Sequence, residues 1–184
     1  RLVIRQVLGN EQVTWYYVTS LIGKTLVLLI APINTIVISY LTKRKERLTR
    51  LQYGKAALAG GIVSFVFFLA CQVGTPLFVW LFYRNLYDSV KGIVTVVNLA
   101  QILGLYSAFL FILVLTFTDE RWQLGIQLAH FGILLAVSIP AAKIYGLAGF
   151  AYASLGANIL RVAAVIILGL VKAQNGKESK DEYR

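Results

Sequence analysis

Long apolar stretches alternate with short polar ones along this chain. A membrane-crossing helix needs about 20 apolar residues. On this basis the pattern predicts helices at residues 13–41, 56–82, 93–117, 122–139 and 146–171. The strict alternation of apolar and polar positions that is typical of membrane β-barrels is absent from these stretches. We therefore predict an all-α polytopic membrane protein with five transmembrane helices, because helices satisfy their own backbone groups in lipid.

The three prolines are expected to shape these helices. Pro32 predicts a kink or tilt in the first helix, which is longer than a straight crossing requires. Pro76 is expected to bend the second helix near its end. Pro140 is expected to close the fourth helix, so that residues 141–145 form a short turn into the fifth.

Composition supports the membrane class and adds an expectation about the ends of the chain. The chain is 58% hydrophobic and 14% charged, with a mean hydropathy of +0.73. Its single cysteine, Cys71, excludes a disulfide within the chain and is interpreted as a small packing residue. The sequence begins with Arg1 and contains no Met, so we expect a fragment of a longer protein.

The distribution of Lys and Arg predicts the orientation. Eleven of them fall in the loop between the first two helices, in the loop between the third and fourth, and in the tail, whereas five fall on the opposite face. The more basic face should be cytoplasmic. We therefore predict a multi-pass protein of the cell (cytoplasmic) membrane, with helices in residues 1–172 and a charged cytoplasmic tail at residues 173–184. The cluster from Lys43 to Lys55 is interpreted as this topology signal rather than as a site for nucleic acid or lipid.

Two single cations interrupt the apolar stretches. Lys24 lies near the middle of the first predicted helix, and Arg161 lies near the middle of the fifth. A charge at bilayer depth is costly and is tolerated where it faces protein or a wet cavity. Since no acidic residue lies at a similar depth, the expected counter-ion is a transient anion. The alternative is a carboxylate in another part of the protein.

Other polar residues share helix faces with these cations or with each other. The candidate cavity-lining residues are Tyr17, Ser20, Gln101, His130 and Asn158. Small and polar stripes also hold helices together in lipid. We favour this second interpretation for Asn98, Gln123, Gln127 and Ser154. His130 is interpreted as a hydrogen-bonded packing residue, with a proton relay as the alternative.

The acidic residues and motifs argue against catalysis and against cation transport. All eight acids lie in predicted loops or tails: Glu11, Glu46, Asp88, Asp119, Glu120, Glu178, Asp181 and Glu182. A cation antiporter usually needs a carboxylate within the membrane. Neither HExxH nor GxSxG occurs, and one His with one Cys cannot form a zinc site. We therefore predict that the chain is not an enzyme and needs no metal or cofactor.

Five segments carry a resemblance to a known family. Residues 1–10 (RLVIRQVLGN) and 13–18 (VTWYYV) resemble the segment before the eighth helix of polysaccharide and O-antigen flippases, which belong to the multidrug/oligosaccharidyl-lipid/polysaccharide (MOP) exporter superfamily. Residues 31–41 (APINTIVISYL) resemble the end of that helix. Residues 76–83 (PLFVWLFY) with Tyr87 resemble a family loop, and residues 144–154 (IYGLAGFAYAS) resemble the entry to the final helix.

The resemblance implies a fold and a function. Family members have two six-helix lobes, of which this chain would supply helices eight to twelve, with the N-terminal lobe and one helix missing. The implied function is alternating-access flipping of a lipid-linked oligosaccharide during surface polysaccharide biosynthesis, alongside other polysaccharide assembly proteins. The pyrophosphate would enter a cavity containing Lys24 and Arg161, while the polyprenyl tail stays in membrane lipid.

Two alternatives remain open at this point. One is a drug or cation antiporter of the same superfamily, whose acids would lie elsewhere in the protein. The other is a membrane assembly or anchoring subunit with no transport activity of its own.

Overall fold

The chain is almost entirely helical. The computed structural model describes residues 2–43, 48–115 and 117–173. The helices, in order, are α1 (Leu2–Leu8), α2 (Asn10–Thr42), α3 (Arg50–Phe82), α4 (Arg84–Leu115) and α5 (Glu120–Lys172). Helices α2 to α5 are each long and apolar enough to cross a membrane. The prediction of a helical protein with several helices able to cross a membrane is therefore confirmed.

The helices begin earlier than hydropathy predicted. The predicted starts at residues 13, 56 and 93 become Asn10, Arg50 and Arg84. Hydropathy marks the part of a helix that suits hydrocarbon, whereas backbone hydrogen bonding continues through polar turns. In α3 the early start has a local cause. The Thr49 hydroxyl accepts a hydrogen bond from the Gln52 backbone N–H at 3.3 Å, and the Gln52 side chain accepts one from the Thr49 N–H at 3.2 Å.

One helix was not predicted, and some predicted segments lie outside the described residues. Helix α1 was not predicted, because seven residues carry too little periodicity to stand out. The predicted tail beyond residue 173, and the basic residues Arg44, Lys45 and Arg47, lie outside the described residues.

Helix α5 is a hairpin rather than a single rod. At Gly146 the backbone leaves the helical region, with φ 61° and ψ −145°. The Lys172 ammonium lies 5.4 Å from the centroid of the Trp122 ring, whereas a straight helix would separate these residues by roughly 75 Å. The two arms, residues 120–145 and 147–172, therefore run antiparallel. They correspond to the fourth and fifth predicted helices.

The predicted role of Pro140 was wrong. The first arm continues through Pro140 and reverses at Gly146. A proline removes one helical hydrogen bond, which a helix tolerates, whereas the positive φ of the reversal requires glycine. The arms then approach closely, since a Cβ added at Gly149 would lie 2.1 Å from the carbonyl oxygen of Ala141. Pro32 and Pro76 lie inside α2 and α3, and the bends expected there stay predictions.

Helix α4 forms the centre of the bundle. It packs against α2, α3 and α5, and its apolar stretch is the most buried of the four long helices. At one end a core surrounds Tyr53, Leu110 and Val165. At the other end α1 packs beside the α5 turn through Ile4 and Phe150. The outer faces of α2, α3 and α5 expose large apolar side chains, as expected for surfaces that meet lipid or another membrane segment.

Candidate functional site

A polar layer crosses the bundle near the middle of its helices. We define this mid-helix polar layer as Ser20 and Lys24 of α2, Gln101 of α4, and His130, Asn158 and Arg161 of α5. Contacts described below link these residues from helix to helix. The structure thus places the candidate residues at a similar level of the bundle in two contact groups. One consists of Tyr17, Ser20, Lys24 and Gln101, and the other of His130, Asn158 and Arg161.

Lys24 is held by its own helix and by aromatic rings. Its ammonium donates a hydrogen bond to the Ser20 hydroxyl one turn earlier. It lies 5.6 Å from the centroid of the Tyr16 ring and 5.3 Å from that of the Tyr17 ring. Cation–π attraction compensates part of the solvation that an ammonium loses at this depth. The Ser20 hydroxyl and the two rings therefore stabilise part of the charge of Lys24, which is half-buried.

Helix α2 meets α4 at the level of Lys24. The Gln101 side-chain amide donates a hydrogen bond to the Ser20 carbonyl at 3.2 Å. Gly23 makes this approach possible, because a Cβ there would lie 3.2 Å from the Gln101 side chain. Ser20 itself is fully buried and donates its hydroxyl to the Tyr17 carbonyl at 3.1 Å. Gln101 therefore fixes the position of α2, and with it the position of Lys24.

One turn along α4, the same layer continues into α5. The Asn158 side chain lies against Gly104, since a Cβ built on this glycine would be 3.5 Å from the Asn158 side-chain oxygen, an ordinary contact distance. Asn158 also donates to the Ser154 carbonyl at 3.0 Å within its own arm. The first arm of the hairpin brings His130 alongside Asn158 and Arg161.

Arg161 lies between α4 and the first arm of α5. The carbon of its guanidinium lies 5.2 Å from the centroid of the Phe111 ring. The Nε atom of Arg161 and the Nε2 atom of His130 are both buried, and neither has a hydrogen-bond partner among the described residues. A buried N–H that is left unpaired is costly. The Arg161 Nε–H marks the part of the layer best suited to an additional acceptor, such as an anion or a water molecule.

The described acids lie away from this layer. Glu11 is in the first turn of α2, Asp88 is near the start of α4, and Asp119 and Glu120 are at the start of α5. Within the described part of the chain, no three His, Cys, Asp or Glu side chains lie close enough together to hold a metal. The charged side chains of the layer itself are those of Lys24 and Arg161, so the layer is cationic.

Asn98 belongs to a separate cluster that joins α3 to α4. Its amide donates to the Cys71 carbonyl at 3.1 Å and to the Gln72 side chain at 3.2 Å, while its oxygen accepts from the Thr75 hydroxyl at 3.2 Å. Asn98 is completely buried. This network agrees with the interpretation of Asn98 as an interhelical contact rather than as a cavity residue.

Sequence reasoning missed the aromatic neighbours of the cations. Tyr16 precedes the candidate residue Tyr17 and lies eight residues before Lys24. Helical spacing places residues eight apart on nearly the same face, so this contact could have been predicted. Phe111 carries no comparable signal, because its contact with Arg161 depends on how α4 and α5 are rotated against each other. Tyr53 was also missed. Its hydroxyl donates to the Val165 carbonyl at 3.1 Å and ties α3 to α5.

Comparisons with protein-family models, with curated proteins and with solved structures gave no match to this chain.

Proposed function

We propose that this chain is part of a membrane transporter that flips a polyprenyl-pyrophosphate-linked oligosaccharide across the cytoplasmic membrane by alternating access. The process it would serve is surface polysaccharide biosynthesis. In this proposal the chain corresponds to the C-terminal lobe of a MOP-type flippase. Its expected partners are the lipid-linked oligosaccharide, membrane lipid and other polysaccharide assembly proteins.

The observation that carries the proposal is the charge of the mid-helix polar layer. Lys24 and Arg161 both lie near the middle of helical segments long enough to span a membrane, and the described acids lie at helix ends. A pyrophosphate that leaves water needs such cations, and an arginine can bind it through two parallel hydrogen bonds. The buried Nε of Arg161 is available for such a bond.

The remaining polar residues have roles in the same proposal. Gln101 and Asn158 offer amide donors and acceptors beside the cations, which suits phosphate oxygens or sugar hydroxyls. Tyr17 and Ser20 hold the Lys24 ammonium at the layer. His130 supplies a buried ring nitrogen next to Arg161.

The test is export of glycan by cells that carry the gene with Lys24→Ala and Arg161→Ala together. We expect surface glycan to fall by at least about tenfold, while the lipid-linked precursor accumulates on the cytoplasmic side, since hydrogen bonds to charged groups contribute about 1.5–3 kcal/mol each. Lys24→Arg should preserve export because it keeps the charge. Arg161→Lys should impair it because lysine cannot form the paired hydrogen bonds.

The matched control removes one Lys and one Arg from exposed sites, Lys143→Ala and Arg121→Ala. This control should export glycan normally, with protein levels checked by immunoblotting. Normal export by the double variant of the polar layer would contradict the proposal and favour a non-transporting assembly subunit. Binding of a cationic dye rather than a polyprenyl pyrophosphate by the purified protein would instead favour an antiporter.

A further inference from the structure

A groove of about 270 Å³ lies between α2, α3 and α4, away from the cations of the polar layer. Its walls are mostly apolar and include Ile30, Ile33, Ala59, Val63, Phe67 and Phe109. It opens to the surface of the bundle, since Ile33 is 55% exposed and Val63 is 52% exposed. Neither Lys24 nor Arg161 lines it. The groove therefore suits an apolar chain that enters from the side.

Basic residues stand at the end of the groove nearest the α2–α3 loop. On α3, residues Lys55, Ala59, Val63 and Phe67 follow one another at intervals of four, so Lys55 lies on the face that lines the groove and one turn beyond it. On α2, Lys43 follows an exposed stripe that starts at the groove residue Ile33. Both lysines are exposed. Two exposed lysines thus follow the groove toward the α2–α3 connection, Lys55 one turn beyond Ala59 on α3 and Lys43 at the C-terminal end of α2.

The length of this arrangement matches half of a bilayer. From Lys55 to Phe67 the helix rises roughly 18 Å, while one leaflet contributes about 15 Å of hydrocarbon. A molecule with its charged end at Lys55 would therefore place its tail along Ala59 and Val63 and reach the middle of the membrane near Phe67.

We propose that this groove binds one acyl chain of an anionic phospholipid, whose phosphate headgroup is held by Lys43 and Lys55. The charge of Lys43 and Lys55 selects the anionic lipid, and the apolar walls hold its chain. Basic residues at the membrane surface commonly attract anionic lipids. A topology signal requires only basic residues in a loop. A lipid site also requires a surface for the acyl chain, which the groove beside Lys43 and Lys55 provides. This site does not depend on the proposed transport function.

The first experiment measures how much lipid the protein retains when a larger side chain occupies the groove. Full-length protein is purified into nanodiscs that contain equal amounts of phosphatidylglycerol and phosphatidylcholine with identical chains, and retained lipid is counted by native mass spectrometry. The unmodified protein should retain phosphatidylglycerol. Ala59→Leu should lose most of it, because the added side chain occupies the groove. Ala129→Leu, the same change at an exposed alanine of α5, should retain it.

The second experiment tests the headgroup contacts. Lys43→Ala with Lys55→Ala should lower the preference for phosphatidylglycerol by about thirtyfold, the ratio that corresponds to about 1 kcal/mol for each lysine near an anionic lipid. Lys143→Ala at the opposite end of the bundle should leave the preference unchanged.

Three results would overturn the proposal. Equal retention of the two lipids would identify the bound molecules as general membrane lipid. Unchanged lipid binding by Ala59→Leu would place the lipid elsewhere. If the unmodified protein retained a protein segment in the groove and Ala59→Leu lost that segment instead of lipid, the occupant of the groove would be protein rather than lipid.

Discussion

Asn98 shows how a polar side chain can be accommodated inside an apolar bundle. Each of its side-chain polar atoms has a partner on α3, so its burial leaves no unpaired group. The arrangement ties α4 to the region of α3 around Cys71. Lys24 and Arg161 of the polar layer differ in chemistry, because each carries a charge and lies against an aromatic ring. Asn98 is therefore a residue that holds the fold together.

We predict that Asn98→Ala lowers the free energy of unfolding by about 1–3 kcal/mol. The Thr75 hydroxyl and the Cys71 carbonyl would lose their partner in a buried site. Titration with a denaturing detergent in mixed micelles measures this change. Gln127→Ala serves as the control, since Gln127 is exposed on the first arm of α5 and its loss should have little effect. Equal stability of the two variants would contradict the role of Asn98.

The candidate charged residues could be predicted from the sequence, whereas most of their contacts with other helices could not. Lys24 and Arg161 were identifiable because each is a single charge in an apolar stretch, and helical spacing placed Ser20 beside Lys24. The contact of Arg161 with Phe111 and the insertion of Asn158 against Gly104 could not be predicted. Both depend on interhelical rotation, which is set by packing across the whole bundle rather than by local pattern.

At the scale of elements, the reversal at Gly146 decides the shape of α5. Hydropathy placed two helices in this part of the chain, which agrees with the two arms. The sequence prediction placed the break between them at Pro140, because proline is the stronger sequence signal for a helix end. The deciding signal was the glycine six residues later. The sequence does not show whether a given glycine adopts a positive φ, because glycine adopts positive and negative values about equally readily.

We predict that Gly146→Ala destabilises the protein by about 1–3 kcal/mol, because its φ and ψ lie in a region that is essentially restricted to glycine. Gly156→Ala is a matched control in the second arm. It lies in helix with open space around its Cβ position, and alanine should be neutral or stabilising there by up to about 1 kcal/mol. Thermal unfolding of both variants in detergent would test this. Similar losses for both would show that the reversal does not depend on glycine.

At the scale of the whole molecule, α4 organises the bundle and the outer helices meet the surroundings. The α2–α3 and α4–α5 connections lie at one end, and the α3–α4 connection and the α5 turn lie at the other. The first of these ends holds Lys43, Arg50, Lys55 and Arg121. The rule that basic loops stay in the cytoplasm therefore predicts which end faces the cell interior.

Cysteine labelling can test this orientation. In a Cys71→Ala background, which removes the single buried native thiol, we expect Tyr145→Cys to react with a membrane-impermeant maleimide in spheroplasts. Tyr145 is 72% exposed beside the α5 turn. Asp119→Cys, at the opposite end, should react only after the membrane is permeabilised. The reverse pattern would invert the predicted orientation and place the basic loops outside.

The tight reversal of α5 also bears on how the protein enters the membrane. One non-helical residue separates the arms, and Lys143 is the only charged residue between positions 122 and 160. No hydrophilic loop has to be carried through the lipid before the second arm can follow the first. Both arms can be inserted together during synthesis, with their backbone groups already hydrogen-bonded.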